Sequence, residues 1–152
     1  MNMEMISAAE RTLVITRDFA APRELVFEAW TDARHLAQWC APAIFTIAEN
    51  SADVRRGGVW WSLMRAPDGE ECRASGVYRE IVAPERLVFS YAHDTPDGER
   101  GPETLVTVTF EVHERGTRLT LRQATFDTVM SRDDHDLGWG ECLDRLATYL
   151  AN

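Results

Sequence analysis

Between Thr12 and Phe19 apolar and polar residues alternate (TLVITRDF), the period-two pattern of a strand with one buried face. The period then lengthens. Leu25, Val26, Ala29 and Trp30 fall at helical spacing with Phe27 beside them. Pro22 and Glu24 suit the first turn of that helix: a proline loses no hydrogen bond there, and the carboxylate meets the positive end of the dipole. Asp32 is placed to cap a second short helix through His35, Leu36 and Trp39, which Pro42 stops. From Ile44 the period returns to two. Ile44–Ile47 opens a strand, Gly57-Gly58 breaks the chain, and Val59–Arg65 resumes it. Pro67-Asp68-Gly69 reads as a hairpin turn before a long strand, Glu71–Val82, closed by Ala83-Pro84. Arg86–His93 follows, then a loop of turn residues from Asp94 to Pro102, then a last hairpin of Thr104–His113 and Thr117–Phe126. Ser131 and Asp134 read as a variant capping box that opens a final helix running to about Ala151. On that helix Leu137, Leu143, Leu146 and Leu150 lie on one side, flanked by Trp139 and Tyr149.

The order is one strand, two short helices, six more strands and a long helix, an α+β arrangement. Strands joined by short turns pair antiparallel. Such a seven-stranded sheet must bury one face, and only the C-terminal helix is long enough to cover it. A strongly curved sheet closing on a single helix leaves a space between them, the kind of place where ligands bind. The 152 residues suit one domain, assigned to residues 12–152, with residues 1–11 as a lead-in.

Charge and composition narrow the function. The net charge of −9 argues against nucleic acid, whose phosphates require a basic patch, and against anionic membranes. All 16 basic residues are arginine, so neither a lysine Schiff base nor a P-loop lysine exists. Cys40, Cys72 and Cys142 are odd in number and widely spaced. They predict neither a disulfide framework nor a zinc site, and they suit a reducing cytoplasm. No apolar run is long enough for a membrane span. No motif for a metal or a cofactor is present, and no catalytic residue is assigned.

Strand alternation selects the inward face. Val106, Val108 and Phe110 lie on one side of their strand, and Leu119 and Leu121 on one side of the next. Leu87, Phe89 and Tyr91 share a face, as do Trp60, Ser62 and Met64. Five tryptophans are many for this length, and they anchor a core or line an aromatic pocket. Trp39, near the end of its short helix, is the rim candidate. His135 and Trp139 stand four residues apart, on one helix face. With Arg132, Asp133, Asp134 and Asp136 around it, His135 reads first as part of a solvated first turn. Cys142 is about two turns, roughly 10 Å, further on, too far for a cysteine–histidine pair. Tyr78, Tyr91, Ser62, Ser75, Arg79 and Gln123 are polar residues on strands, and any that face inward need a partner.

Taken together, several segments resemble a known family. Ala21-Pro22-Arg23-Glu24-Leu25-Val26-Phe27-Glu28-Ala29-Trp30-Thr31-Asp32 is similar to the opening helix of the homologues of the activator of heat-shock protein ATPase. These belong to the SRPBCC, or START and birch-pollen-allergen-like, superfamily. Gln38-Trp39, Arg56-Gly57-Gly58-Val59-Trp60, Met64-Arg65-Ala66-Pro67-Asp68-Gly69 and Gly76 to Phe89 add to the likeness. So do Val106-Thr107-Val108-Thr109-Phe110 and the helix residues His135, Gly138-Trp139 and Leu143-Asp144-Arg145-Leu146. The likeness covers about residues 12–151. Where the family often has a second tryptophan and a glycine after Trp39, this chain has Cys40-Ala41, which alters the rim.

The resemblance implies a helix-grip (START-like) fold: a seven-stranded curved antiparallel sheet around a long C-terminal helix, two short helices between strands 1 and 2, and an internal cavity. It implies apolar ligands of lipid, sterol or polyketide kind. The residues expected to line the cavity are Trp30, Trp39, Trp60, Met64, Tyr78, Phe89, Tyr91, Val108, Phe110, Leu121, His135, Trp139 and Leu143. The expected partner is a small apolar molecule, and a homodimer is left open. Two other readings stand beside this one. A cavity enzyme of the polyketide-cyclase or hydrolase kind would need a pair of titratable groups facing inward. A co-chaperone-like interaction module would use the sheet edge or the cavity mouth. The separate domain with which the eukaryotic co-chaperone engages its chaperone has no counterpart in these residues, so chaperone activation is not expected.

Overall fold

A computed structural model describes residues 7–152, so residues 1–6 of the expected lead-in lie outside the described residues. The elements are β1 (Thr12–Phe19), α1 (Arg23–Trp30), α2 (Ala33–Trp39), β2 (Thr46–Ala52), β3 (Val59–Arg65), β4 (Glu71–Val82), β5 (Arg86–His93), β6 (Thr104–His113), β7 (Gly116–Ala124) and α3 (Val129–Leu150). The strands form one antiparallel sheet in the order β1-β7-β6-β5-β4-β3-β2. Consecutive strands from β2 to β7 therefore pair with one another, and β1 adds to the β7 edge. Register shifts between Ile47 and Glu49 and between Tyr78 and Glu80 bend the sheet where it must curl.

Several element ends differ from the sequence reading. The second strand begins at Thr46, and Ile44 is left exposed in the preceding loop. That loop is tied to α3, because Arg145 donates to the carbonyls of Ala43 and Phe45. β7 ends at Ala124; Phe126 lies beyond it, yet is buried, and its carbonyl accepts from the Arg11 side chain at 2.6 Å. The cap of α3 is Thr128, whose hydroxyl accepts from the Ser131 N–H at 3.0 Å, so Ser131 sits inside the helix that it was expected to open. Leu137 and Leu25 are exposed, since each lies off the buried arc of its helix. Asp32 caps α2 as expected, accepting from the Arg34 N–H at 2.8 Å.

The concave face divides into two halves. Over β1, β6 and β7 it is filled: Val106, Val108, Phe110, Leu119 and Leu121 are all at most 1% exposed. They pack with α1 and with Leu143 and Leu146 of α3. Phe27 meets Phe110 edge-on at 5.2 Å between ring centroids, and Trp30 meets Trp39 edge-on at 4.8 Å. Over β2 to β5 the inward positions include Ala52, Ser62, Ala74 and Gly76, which are small, and α3 presents Gly138 to that side. A side chain at Gly76 would collide with the Ser90 carbonyl and come within 2.6 Å of Trp60 Nε1. The missing side chain is what lets the Trp60 indole lie across the strand and donate to Ser90 O at 3.1 Å. Small residues here leave the space between helix and sheet unfilled.

Candidate functional site

Under the first half of α3 the unfilled half of the sheet encloses a cavity of about 350 Å³, within the range of small-molecule sites. α2 and the following turn supply Leu36, Cys40 and Pro42; β2 to β5 supply the floor; α3 supplies Asp134, His135, Gly138, Trp139 and Cys142. Aromatic rings dominate the wall. Trp30 stacks on Trp139 at 5.6 Å, Trp60 meets Phe89 edge-on at 5.7 Å, and Tyr91 lies 5.4 Å from Trp60.

Eight residues expected from the sequence meet in this wall: Trp30, Trp60, Met64, Tyr78, Phe89, Tyr91, His135 and Trp139. The other five do not. Val108, Phe110, Leu121 and Leu143 are inward but belong to the filled half, where α1 and α3 cover them completely. Trp39 is not at the rim. It is fully buried and donates from Nε1 to Ala29 O at 3.0 Å, which locks α2 against α1. Asp133, Asp134 and Asp136 are exposed as expected, but His135 is half-buried and turns inward from them. Its ring packs on Phe126, His93 and Tyr91 at 5.0, 5.2 and 5.8 Å, and its Nδ1 lies 2.7 Å from Ser131 O.

Sequence reasoning missed His93 and Cys72. On one wall, His93 is held from both sides: its Nε2 is 3.0 Å from the Tyr91 hydroxyl and its Nδ1 is 3.2 Å from Cys72 Sγ. A signal was available. His93 continues the Leu87, Phe89, Tyr91 alternation, and Cys72 has the parity of Tyr78. Burial, reinforced by the neighbouring His135, pushes the His93 imidazole down to about 4. Desolvation raises the Cys72 thiol and the Tyr78 and Tyr91 phenols above their ordinary values. All four groups are therefore uncharged at neutral pH. As a hydrogen-bonding set they are well made. As acid–base catalysts they are poorly matched to pH 7, because the imidazole binds a proton too weakly and the phenols release theirs too reluctantly.

A second buried polar chain supports the wall from behind. Trp139 Nε1 donates to Gln123 Oε1 at 2.8 Å, Gln123 Nε2 donates to Thr104 Oγ1 at 2.8 Å, and Thr104 Oγ1 donates to Tyr91 O at 3.2 Å. It fixes two cavity aromatics, one on the helix and one on the sheet. Two buried polar atoms of wall residues, Trp30 Nε1 and Ser62 Oγ, have no hydrogen-bond partner among the described residues. Also among the described residues, no group of three or more His, Cys, Asp or Glu side chains is arranged to hold a metal ion. No helix among them is long and apolar enough to cross a membrane.

Residues 20–151 match the family model described as Activator of Hsp90 ATPase homolog 1-like protein. Solved structures share the fold over nearly the whole chain. An AHSA1 protein from Silicibacter pomeroyi is 27% identical, covering 92% of this chain and 97% of its own, with a TM-score of 0.83. A protein from Nitrosomonas europaea is 25% identical, covering 96% and 97%, with a TM-score of 0.80. One from Chromobacterium violaceum is 25% identical, covering 93% and 98%, with a TM-score of 0.83. No curated protein matches the chain.

Proposed function

The chain belongs to the Activator of Hsp90 ATPase homolog 1-like family, and from that premise we propose that it binds a small hydrophobic molecule, lipid-, sterol- or polyketide-like, between its sheet and its C-terminal helix. One observation carries the reading: the helix stands off half of the sheet over an aromatic-lined cavity of about 350 Å³. A ligand that buries about 300 Å² of apolar surface there gains about 7 kcal/mol before the cost of immobilisation, which sets a ceiling of about 10 μM on the affinity that this burial alone supplies. Three free cysteines suit a reducing compartment, and we place the protein in the cytoplasm.

The Cys72–His93–Tyr91 group favours a cavity enzyme as the second reading, since it brings titratable side chains together inside the wall. Binding is preferred because each of the three is held in its neutral form, so this hydrogen-bonded group offers no proton acceptor or donor matched to pH 7. The test is native mass spectrometry of protein purified from its own host. A stoichiometric apolar passenger is expected. A clean unliganded mass, together with no thermal shift across a panel of lipids and polyketides, would overturn the proposal.

A further inference from the structure

The cavity floor carries a polar stripe that fixes what kind of molecule it accepts. Sheet register sets Asn50 opposite Ser62, Ser62 opposite Ala74, and Ala74 opposite His93, so the four lie in one row across β2, β3, β4 and β5. With strands about 4.8 Å apart, Ser62 and His93 stand about 10 Å apart with only the Ala74 methyl between them. Both ends of the row are engaged. Asn50 Nδ2 donates to Ala33 O at 2.8 Å, and both imidazole nitrogens of His93 are occupied by Tyr91 and Cys72. The Ser62 hydroxyl, between them, is buried and unpartnered. The Trp30 indole N–H, in a wall residue that is 2% exposed, is in the same condition.

Buried polar groups are normally satisfied, and an orphan N–H can be satisfied only by an acceptor. The wall also lacks any permanent positive charge: no arginine lines it, and its one carboxylate, Asp134, repels anions. A carboxylate entering this space would lose its hydration with no cation to offset the loss.

Resting on the carrier reading above, we propose that the cavity selects an uncharged, flat, largely apolar molecule bearing acceptor oxygens such as ketones, one for the Ser62 hydroxyl and, where a second is present, one for the Trp30 N–H, and rejects fatty-acid-like carboxylates. A carbonyl oxygen accepts from the unpartnered Ser62 hydroxyl, and the rings lie along the Ala74 floor between Trp60 and Trp139.

Isothermal titration calorimetry at pH 7.4 with three probes of one shape tests this: 2-acetylnaphthalene, 2-ethylnaphthalene and 2-naphthoate. The ketone is better hydrated than the hydrocarbon, so tighter binding by the ketone requires a hydrogen bond in the site. The ketone is expected to bind roughly tenfold more tightly than the hydrocarbon, and the naphthoate at least tenfold more weakly than the ketone. In Ser62→Ala the ketone's advantage should shrink to about twofold or less, while the hydrocarbon's affinity and the melting temperature do not fall, because the hydroxyl has no internal partner to lose. Equal affinities for ketone and hydrocarbon, a naphthoate that binds as well as the ketone, or an undiminished ketone preference in Ser62→Ala would overturn the selectivity and leave the carrier reading standing. Failure of all three probes to bind would overturn both.

Discussion

Ala74→Leu separates an open cavity from a filled core by the sign of its effect. Ala74 is only 2% exposed, yet its methyl faces the hollow between Ser62 and His93. Leucine adds three carbons at that point. If they enter empty space, burying them contributes about 0.8 kcal/mol each, or about 2.4 kcal/mol, against a rotamer cost of about 0.5–1 kcal/mol. The net is a stabilisation of about 1.5 kcal/mol, and leucine's somewhat better fit to a pleated surface acts in the same direction. For a chain of this length that corresponds to a rise in melting temperature of about 3–6 °C. If the space were already packed, the same carbons would force neighbours off their rotamers and cost about 1–3 kcal/mol. Urea unfolding monitored by tryptophan fluorescence measures the difference, with the slope checked for constancy so that the midpoint reports stability alone. The leucine should also displace the ligand, so affinity should fall as stability rises. A destabilised Ala74→Leu would refute the claim that α3 stands clear of β4.

Two further predictions concern the walls. His93 has its proton affinity lowered to about 4, against an ordinary value near 6.5, so between these pH values the unfolded chain binds more protons than the folded one. Stability should therefore be level above about pH 6.5 and fall as the pH drops toward 4, by up to about 3 kcal/mol from this residue, and His93→Gln should flatten that slope in a pH series of urea midpoints. The Asp32 carboxylate, held down to about 2 mainly by its hydrogen bonds to Arg34, acts in a lower window and does not overlap. Gln123→Ala should strand the Trp139 N–H and open a small void, lowering stability by about 2–4 kcal/mol; a melting temperature within a degree of the wild type would show that the buried chain from Trp139 to Tyr91 does not brace the wall.

How far the sequence could be read follows from which interactions decide each feature. The strands and their inward faces are governed by local alternation, and the inward residues of β6 and β7 are among the most deeply buried of the described residues. Alternation is silent about what stands opposite an inward residue. Val108 and Tyr91 are equally inward by pattern, but one meets α1 and α3 in the filled half and the other a cavity, and that choice depends on small residues far apart in sequence, Ala74 and Gly76 on β4 and Gly138 on α3. Trp39 was misplaced for a related reason. A tryptophan at the end of a short helix has the same sequence context at a rim as in a core, and only the packing of α2 on α1, with the bond to Ala29 O, distinguishes them. His93 and Cys72 were legible by parity, but their neighbours Ala74 and Gly76 are too small to display an apolar stripe that would have drawn attention to them.

The division of the concave face into a filled and an open half also separates the residues that hold the fold from those that face the cavity. Apolar side chains of β1, β6 and β7 are sealed by α1 and by the second half of α3, so the bulk of the hydrophobic stabilisation comes from there. The open half gives up part of that stabilisation, because rings facing a hollow forgo contacts that a filled core would supply. What keeps those rings in place is directional bonding: Trp60 to Ser90 O, Trp139 to Gln123, and His93 between Tyr91 and Cys72. A rigid, hydrogen-bonded wall around a space that the protein does not fill lowers the ordering cost of binding for the proposed ligand, since the side chains facing the space are already fixed.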